Sequence, residues 1–280
     1  YCLTLDIGLF ISEHIYLSYM DYPQICKVMK GEINNEWFAA WFDSPAYHIL
    51  YGNRDSEEAL NLIKNLDEIL SSEVKKVLDV GCGAGRHVVA WEKLGYKASG
   101  FDLSSESIRL AKSKPSNADF RVLDMRDLKN QTKWTDEFDL ISNLFTSFGY
   151  FSKEEEHTSV LIGFNHALKL DGLLILDYLN VPYSKSRLVP SEVVNIDNYS
   201  FMIERYLKDG FFQKSISFKS PEGEEFNFIE QVRAWTASDL KILLLDVGLQ
   251  TEKIFGDYDL GDFSDDSPRC IIVARKILNL

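Results

Sequence analysis

Cysteine is scarce in this 280-residue chain: Cys2, Cys26, Cys82 and Cys270 are the only four, and they show neither paired zinc spacing nor a dense disulfide framework. Free thiols in a cytoplasmic, reducing setting are the simplest reading. Histidine is equally thin. His14, His48, His87, His157 and His166 fall singly, so no metal site is expected, and each reads as a surface or packing residue rather than a catalyst. No serine sits in a nucleophile-elbow pattern. Positive charge is also short: 30 basic residues against 43 acidic ones give a formal net charge of −13, and no local basic patch reverses it. Such a surface repels a phosphate backbone, so nucleic acid is not an expected partner. The opening run to Met20 carries Asp6, Glu13 and His14 among its apolar residues and has no basic leader, which argues against a membrane span and a signal peptide. Residues 1–33 are read as an N-terminal extension without a clean helical period: an extra docking helix, a poorly ordered lead, or in part a stretch upstream of a start at Met20.

What is present is 45% hydrophobic residues, enough for one large domain with an embellishment, organised around the stretch Lys76 to Arg86, KVLDVGCGAGR. Val77, Leu78 and Val80 make a short apolar strand; Gly81, Gly83 and Gly85 follow at alternate positions; a helix then begins. Strand, glycine loop and helix in that order let the backbone approach a bound molecule where a Cβ would collide, and aim amide N–H groups at it. A nicotinamide-binding fingerprint would place its third glycine where Arg86 stands, so the spacing disfavours a dinucleotide. A glycine turn with no ligand would look the same locally. Two acidic residues in register point to a cradle instead: Asp79 ends the strand, and Asp102 follows in ASGFDL at the end of the next one.

The glycine stretch with these two aspartates resembles motif I of class I S-adenosylmethionine-dependent methyltransferases. The resemblance implies that Asp79, Gly81, Gly83, Gly85, Asp102 and Leu103 bind S-adenosylmethionine, with Asp102 on the ribose. It also implies that Asp124 accepts from the adenine amino group while Met125 packs on the ring, and that Asn143 and Leu144 line the same molecule. The segment AYHILYGNRD, Ala46 to Asp55, is similar to the lead-in of glycine N-methyltransferase-like enzymes, where a Tyr and a nearby Arg meet the methionine end of the cofactor; Tyr51 and Arg54 stand there. The phrase GLLILDYLN resembles the matching strand of those enzymes, but Leu179 occupies the place of the Arg that holds the acceptor's carboxylate in them.

Six aromatics between Asn34 and Tyr51 read either as a helix packed on the domain or as a lid that excludes water from a sulfonium. Helical periods alternate with strands through the rest of the first part. From about Tyr199 the period becomes two, giving three strands, Phe201–Leu207, Phe211–Phe218 and Phe226–Arg233, with turns at Asp209-Gly210 and Pro221–Gly223. The expected fold is α/β, a doubly wound and mostly parallel seven-stranded sheet with its last strand antiparallel. The domain spans 34–181 and 236–280, and 182–235 is an inserted antiparallel cap over the acceptor site. Thr146, Tyr150, Asp177 and Arg233 are the polar side chains expected nearest the acceptor, each equally able to serve a buried neighbour. The expected activity is in-line methyl transfer to nitrogen or oxygen of a small molecule, without a named catalytic residue. A protein or RNA methyltransferase, and a non-catalytic cofactor-binding regulator, are the alternatives.

Overall fold

A computed structural model describes residues 36–52, 56–221 and 223–280. Two short helices lead, α1 (Trp37–Phe42) and α2 (Pro45–Leu50), followed by α3 (Ser56–Ile69). The alternating part runs β1 (Lys76–Val80), α4 (Arg86–Lys93), β2 (Lys97–Asp102), α5 (Ser105–Lys112), β3 (Asp119–Val122), β4 (Phe138–Asn143), α6 (Glu154–Ala167) and β5 (Leu168–Leu179). Between β3 and β4 lie two short 3₁₀ helices, Met125–Asn130 and Thr132–Trp134. After α7 (Val181–Ser186) come β6 (Ser191–Ile196), β7 (Tyr199–Lys208), β8 (Phe211–Lys219) and β9 (Glu225–Arg233); α8 (Ala237–Asp246), β10 (Leu249–Phe255) and β11 (Arg269–Lys276) close the chain.

The main sheet has the order β10-β11-β5-β4-β1-β2-β3, with β11 antiparallel to both neighbours and the rest parallel, as the sequence led us to expect. Its order reverses direction at β1 and β4, and the crevice outside their carboxyl ends is where an open parallel sheet takes a ligand. On one face Leu62, Ile63 and Leu66 of α3, Val88 and Trp91 of α4 and Ile108 of α5 pack as one cluster. On the other, Val160, Leu161 and Phe164 of α6 and Leu240 and Leu244 of α8 share a second cluster that continues into Trp41 of α1 and into Phe201, Ile216 and Phe228 of the cap sheet.

Local signals account for most element ends. The Ser104 hydroxyl accepts from Ser107 N–H at 3.0 Å and caps α5, and Thr236 forms a capping box with Asp239 at the start of α8. Asp209 and Gly210 both take positive φ, 52° and 78°, as a two-residue hairpin between β7 and β8 demands. Two expectations need correction. The Asp171-Gly172 pair does not end α6; the helix stops at Ala167 and the pair is a kink inside β5, between Phe138 pairing with Leu168 and Leu140 pairing with Leu173. The small sheet has four strands rather than three, in the order β6-β7-β8-β9. Strand β6 escaped notice because it is an edge strand without aromatics, and its inward residues are only half buried.

Lys276 shows how the last strand locks the sheet to a helix. It is 1% exposed, and its ammonium donates at 2.7 Å to each of Asn165 O and Leu168 O, at the end of α6, and to the Asp136 carboxylate. Lys276→Met keeps the chain length but leaves two buried carbonyls without donors, so stability should fall by about 2 to 3 kcal/mol, read as the urea midpoint at unchanged slope.

Candidate functional site

The glycine loop is built from backbone outward. Gly81 N–H and Cys82 N–H both donate to Phe101 O, at 2.9 and 3.0 Å, pinning the loop to the end of β2. Asp102 completes the strap: one oxygen accepts from Gly83 N–H at 2.8 Å and the other from Ser104 N–H at 2.9 Å. A carboxylate has about four acceptor positions, so capacity remains for a ligand's hydroxyls. Gly83, at φ 53°, has nothing within 4 Å of where a Cβ would stand, so this is the open floor of the cradle. Gly81 and Gly85 are crowded instead, by Ser147 and by Phe120. Met125 leans in beside Gly81, its terminal methyl 3.7 Å from the same Cβ position.

Asp79 and Asn143 lie at the ends of the neighbouring strands β1 and β4, 2% and 0% exposed. Asp79 Oδ1 accepts from the Ser142 hydroxyl at 2.7 Å, and Asn143 Nδ2 donates to Val80 O at 2.9 Å. The second oxygen of each, Asp79 Oδ2 and Asn143 Oδ1, has no donor among the described residues. Two orphan acceptors on the floor of one crevice fit a cationic ligand that brings N–H groups. Burial pushes the Asp79 carboxyl up to about 7, against the lowering effect of the Ser142 hydrogen bond and the Arg86 charge.

The loop after β4 is held in an uncommon backbone. Phe145 and Thr146 both adopt left-handed φ, 59° and 58°, which a β-branched threonine resists. Asp177, 0% exposed, overcomes that resistance. Its carboxylate accepts from Phe145 N–H at 2.7 Å, from Tyr258 OH at 3.1 Å and from Arg269 at 2.7 Å, while its backbone oxygen accepts from Thr146 N–H. Arg269 also donates to the Thr146 hydroxyl at 2.7 Å. Asp177 and Thr146, expected from the sequence beside the acceptor, are engaged here in positioning the loop. The Tyr150 hydroxyl likewise donates to Thr146 O. Leu179 pairs across the sheet with Arg269, so an arginine does stand beside that place, but its charge belongs to Asp177.

Residues 36–52 form a lid with three moorings. Asp43 accepts from the Ser104 hydroxyl and Glu106 N–H, each at 2.9 Å, beside the Asp102 strap. Glu36 pairs with Arg126 at 3.0 Å. Trp41 Nε1–H and Tyr51 OH both donate to Glu230 of β9, at 2.6 and 2.8 Å. Trp37 meets Phe42 and Tyr150 edge-on, and those two rings meet at a tilt, closing a triangle between these points. Tyr51 thus belongs to the lid, with its hydroxyl on the cap; Arg54 lies outside the described residues. Leu103 is half buried and Leu144 is buried. Asp124 differs from expectation: its carboxylate caps the 3₁₀ helix through Arg126 N–H at 2.9 Å and pairs with the Arg126 guanidinium at 2.6 Å. An adenine amino group would have to share it. Arg233 differs more. It stands opposite Phe211 and three residues from Glu230, so the alternation puts it on the face of the cap sheet opposite to Glu230, beside the buried Phe211 and Gln231, with its guanidinium 4.7 Å from the Phe211 ring. Its backbone, not its charge, serves the site: Arg233 N–H donates to Gly149 O at 2.8 Å, and Tyr178 OH donates to Arg233 O at 2.6 Å. A Cβ on Gly149, at φ 100°, would stand 2.3 Å from that hydroxyl, so only glycine lets the cap seat there.

The family comparison agrees with this geometry. Residues 77–172, from β1 through the glycine loop to β5, match the family described as a methyltransferase domain. Over that span the match is to a methyltransferase domain. It is 27% identical to a glycine/sarcosine N-methyltransferase of Aphanothece halophytica, over 86% of this chain and 90% of that protein. It is 28% identical to a putative methyltransferase of a Geobacillus species, over 51% of this chain and 56% of that one, so the match spans little more than half of that relative. In structure it is similar to a sugar N-methyltransferase of a Streptoalloteichus species, with a TM-score of 0.66 at 16% identity, covering 92% and 99% of the two chains; that likeness is one of fold. Asp79 and Asn143 supply the orphan acceptors, and Gly83 the open floor, that suit a cationic small molecule bearing N–H groups.

Two buried groups titrate in opposite senses. His157 is 1% exposed; burial pulls its imidazole down to about 4, and its Nε2 accepts from Phe151 N–H. Lowered from 6.5, it costs stability as pH falls from about 6.5 to about 4, because there the unfolded chain binds the proton and the native one does not. Asp79, raised from 3.8 to about 7, costs stability as pH rises through that range. The two offset in the parent. Asp79→Asn should expose a loss of about 3 kcal/mol toward acid relative to the parent, and His157→Gln a similar loss toward neutral pH, by urea unfolding across the range. Parallel profiles for all three proteins would contradict both assignments.

Proposed function

We propose that this protein moves the methyl group of S-adenosylmethionine directly onto a nitrogen or oxygen of a small-molecule acceptor. When bound, the cofactor supplies a methyl on a sulfonium, an already activated electrophile that needs neither metal nor covalent nucleophile. The protein's share is alignment and exclusion of water. Asp102, the open backbone at Gly83 and the pair Asp79 and Asn143 are the residues we assign to hold the donor, with Met125 and Leu103 against it and Asp124 at its far end.

The observation that carries the small-molecule reading is the lid. A segment tied at once to the Asp102 turn, to Arg126 and to the cap sheet supports a roofed, narrow crevice, because a polymer chain entering there would have to displace all three moorings. The relatives support nitrogen as the target, since the glycine/sarcosine enzyme and the sugar enzyme are both named as N-methyltransferases. An amine that arrives unprotonated needs no general base, whereas a hydroxyl would want one within hydrogen-bond reach. The nearest histidine, His157, is buried with both ring nitrogens occupied by Phe151 N–H and Lys153 O.

Titration calorimetry with S-adenosylhomocysteine tests the donor site. Asp102→Ala should weaken binding by about 1 to 3 kcal/mol, through lost ligand contacts and a loosened Gly83 strap, while the fold persists. Unchanged affinity would remove Asp102 from the site. Release of S-adenosylhomocysteine with a pool of small amines tests the acceptor class, and turnover only with a protein or RNA substrate would overturn it.

A further inference from the structure

One face of the cap sheet carries charge where its pattern calls for apolar residues. Phe201 and Ile203 of β7, Ile216 and Phe218 of β8, and Phe226 and Phe228 of β9 all point to one side, toward α1, where Trp41 lies 4.6 Å from Phe228 between ring centres. In phase with them stand Arg205, Lys214 and Glu230. Arg205 is directly opposite Lys214, and Lys214 directly opposite Glu230; Glu192 of the edge strand pairs with Arg205 from the other side. The row therefore reads carboxylate, guanidinium, ammonium, carboxylate, with both positive charges in the middle. The two cations have side chains only 14% and 16% exposed. Like charges set directly across a strand pair repel, and partial burial deepens the cost.

The flanking carboxylates balance the two cations in charge but leave one buried donor without an acceptor among the described residues. Arg205 gives Nη2 to Glu192, but Nη1 is buried and has no acceptor among the described residues. Lys214 sits 3.5 Å from Glu230, a carboxylate already accepting from Trp41 and Tyr51. Its ammonium otherwise faces the ring and hydroxyl of Tyr51, 4.6 Å from the ring centre. A buried guanidinium N–H without a partner, next to a second cation held by an aromatic lid residue, is the arrangement an oxyanion completes. Position agrees. Three residues of extended strand, about 10 Å, separate Glu230 from Arg233, whose N–H is fixed to Gly149 O on the strand-end loop.

We propose that Arg205 and Lys214 form an anion subsite on the inner face of the cap sheet, which selects a methyl acceptor bearing a carboxylate or a phosphate. The proposal rests on the small-molecule reading above. It also replaces Arg233 as the cap's anion-binding group, since Arg233 is on the other face.

Acetate and inorganic phosphate are the probes, added to the purified chain at ionic strength matched with chloride, and the melting temperature is read. One or both should stabilise the parent beyond chloride. Acetate alone points to a carboxylate acceptor; phosphate, to a phosphorylated one. Arg205→Gln and Lys214→Gln should each weaken the anion response by about tenfold or more in apparent affinity. Arg233→Gln should keep it. S-adenosylhomocysteine titration on the same variants reports folding and the donor site separately, and should be unchanged; if Arg205→Gln does not fold, Lys214→Gln decides. No anion-specific response in the parent, or a response that survives in both variants, overturns the subsite. Failure of the parent to bind S-adenosylhomocysteine would count against the donor site instead, because the anion response is measured without it.

Discussion

The buried carboxylate of Asp177 is the point through which the parts of the site are held to one another. It sits near the end of strand β5, beside the central strand β4, and fixes Phe145 and Thr146 in a backbone they would not adopt alone. Because that loop is fixed, Ser147 lies against Gly81 and shapes the glycine cradle, and Gly149 offers its carbonyl to the cap. Tyr150, whose hydroxyl returns to Thr146, in turn receives the lid's Trp37 and Phe42. An uncompensated carboxylate at zero exposure would be costly, and here Arg269, Tyr258 and the Phe145 N–H compensate it. Donor site, lid and cap thus share one support.

The same logic separates groups that hold the site from groups that serve a ligand. Where every polar atom has a partner, as at Asp177 and Arg269, the side chains position backbone. Where a buried polar atom has none, as at Asp79, Asn143 and Arg205, the surroundings suit a molecule of the opposite character. The crevice floor presents unmatched acceptors, fitting a cationic donor. The cap presents an unmatched donor beside a second cation, fitting an anion.

Much of this was legible in the sequence, because local chemistry dictates it. Glycines at alternate positions after an apolar strand admit few backbones, and the Asp102 strap follows from a carboxylate one strand over. The cap's hairpins were announced by alternating phenylalanines and an Asp-Gly turn. Other features depend on what packs against what. Nothing near Asp177 in sequence shows that Arg269, 92 positions away, absorbs its charge. The reading of Arg233 failed on parity: counted from Phe228, it falls on the wrong face. The same count does place Arg205, Lys214 and Glu230 in the apolar phase, and charged residues in that phase were the signal available and missed. Edge strand β6, with no aromatic to mark it, left no comparable trace.

The central claim is that one crevice, floored by the glycine loop and roofed by α1 and α2, holds the donor. Hydrogen exchange measured with and without S-adenosylhomocysteine addresses it most directly. Protection should rise together in four separated stretches, the loop from Gly81 to Arg86, the turn from Asp102 to Ser104, the loop from Asn143 to Gly149 and the lid from Trp37 to Tyr51. Binding that protects none of these, or that leaves the lid unchanged while protecting a surface elsewhere, would contradict the account.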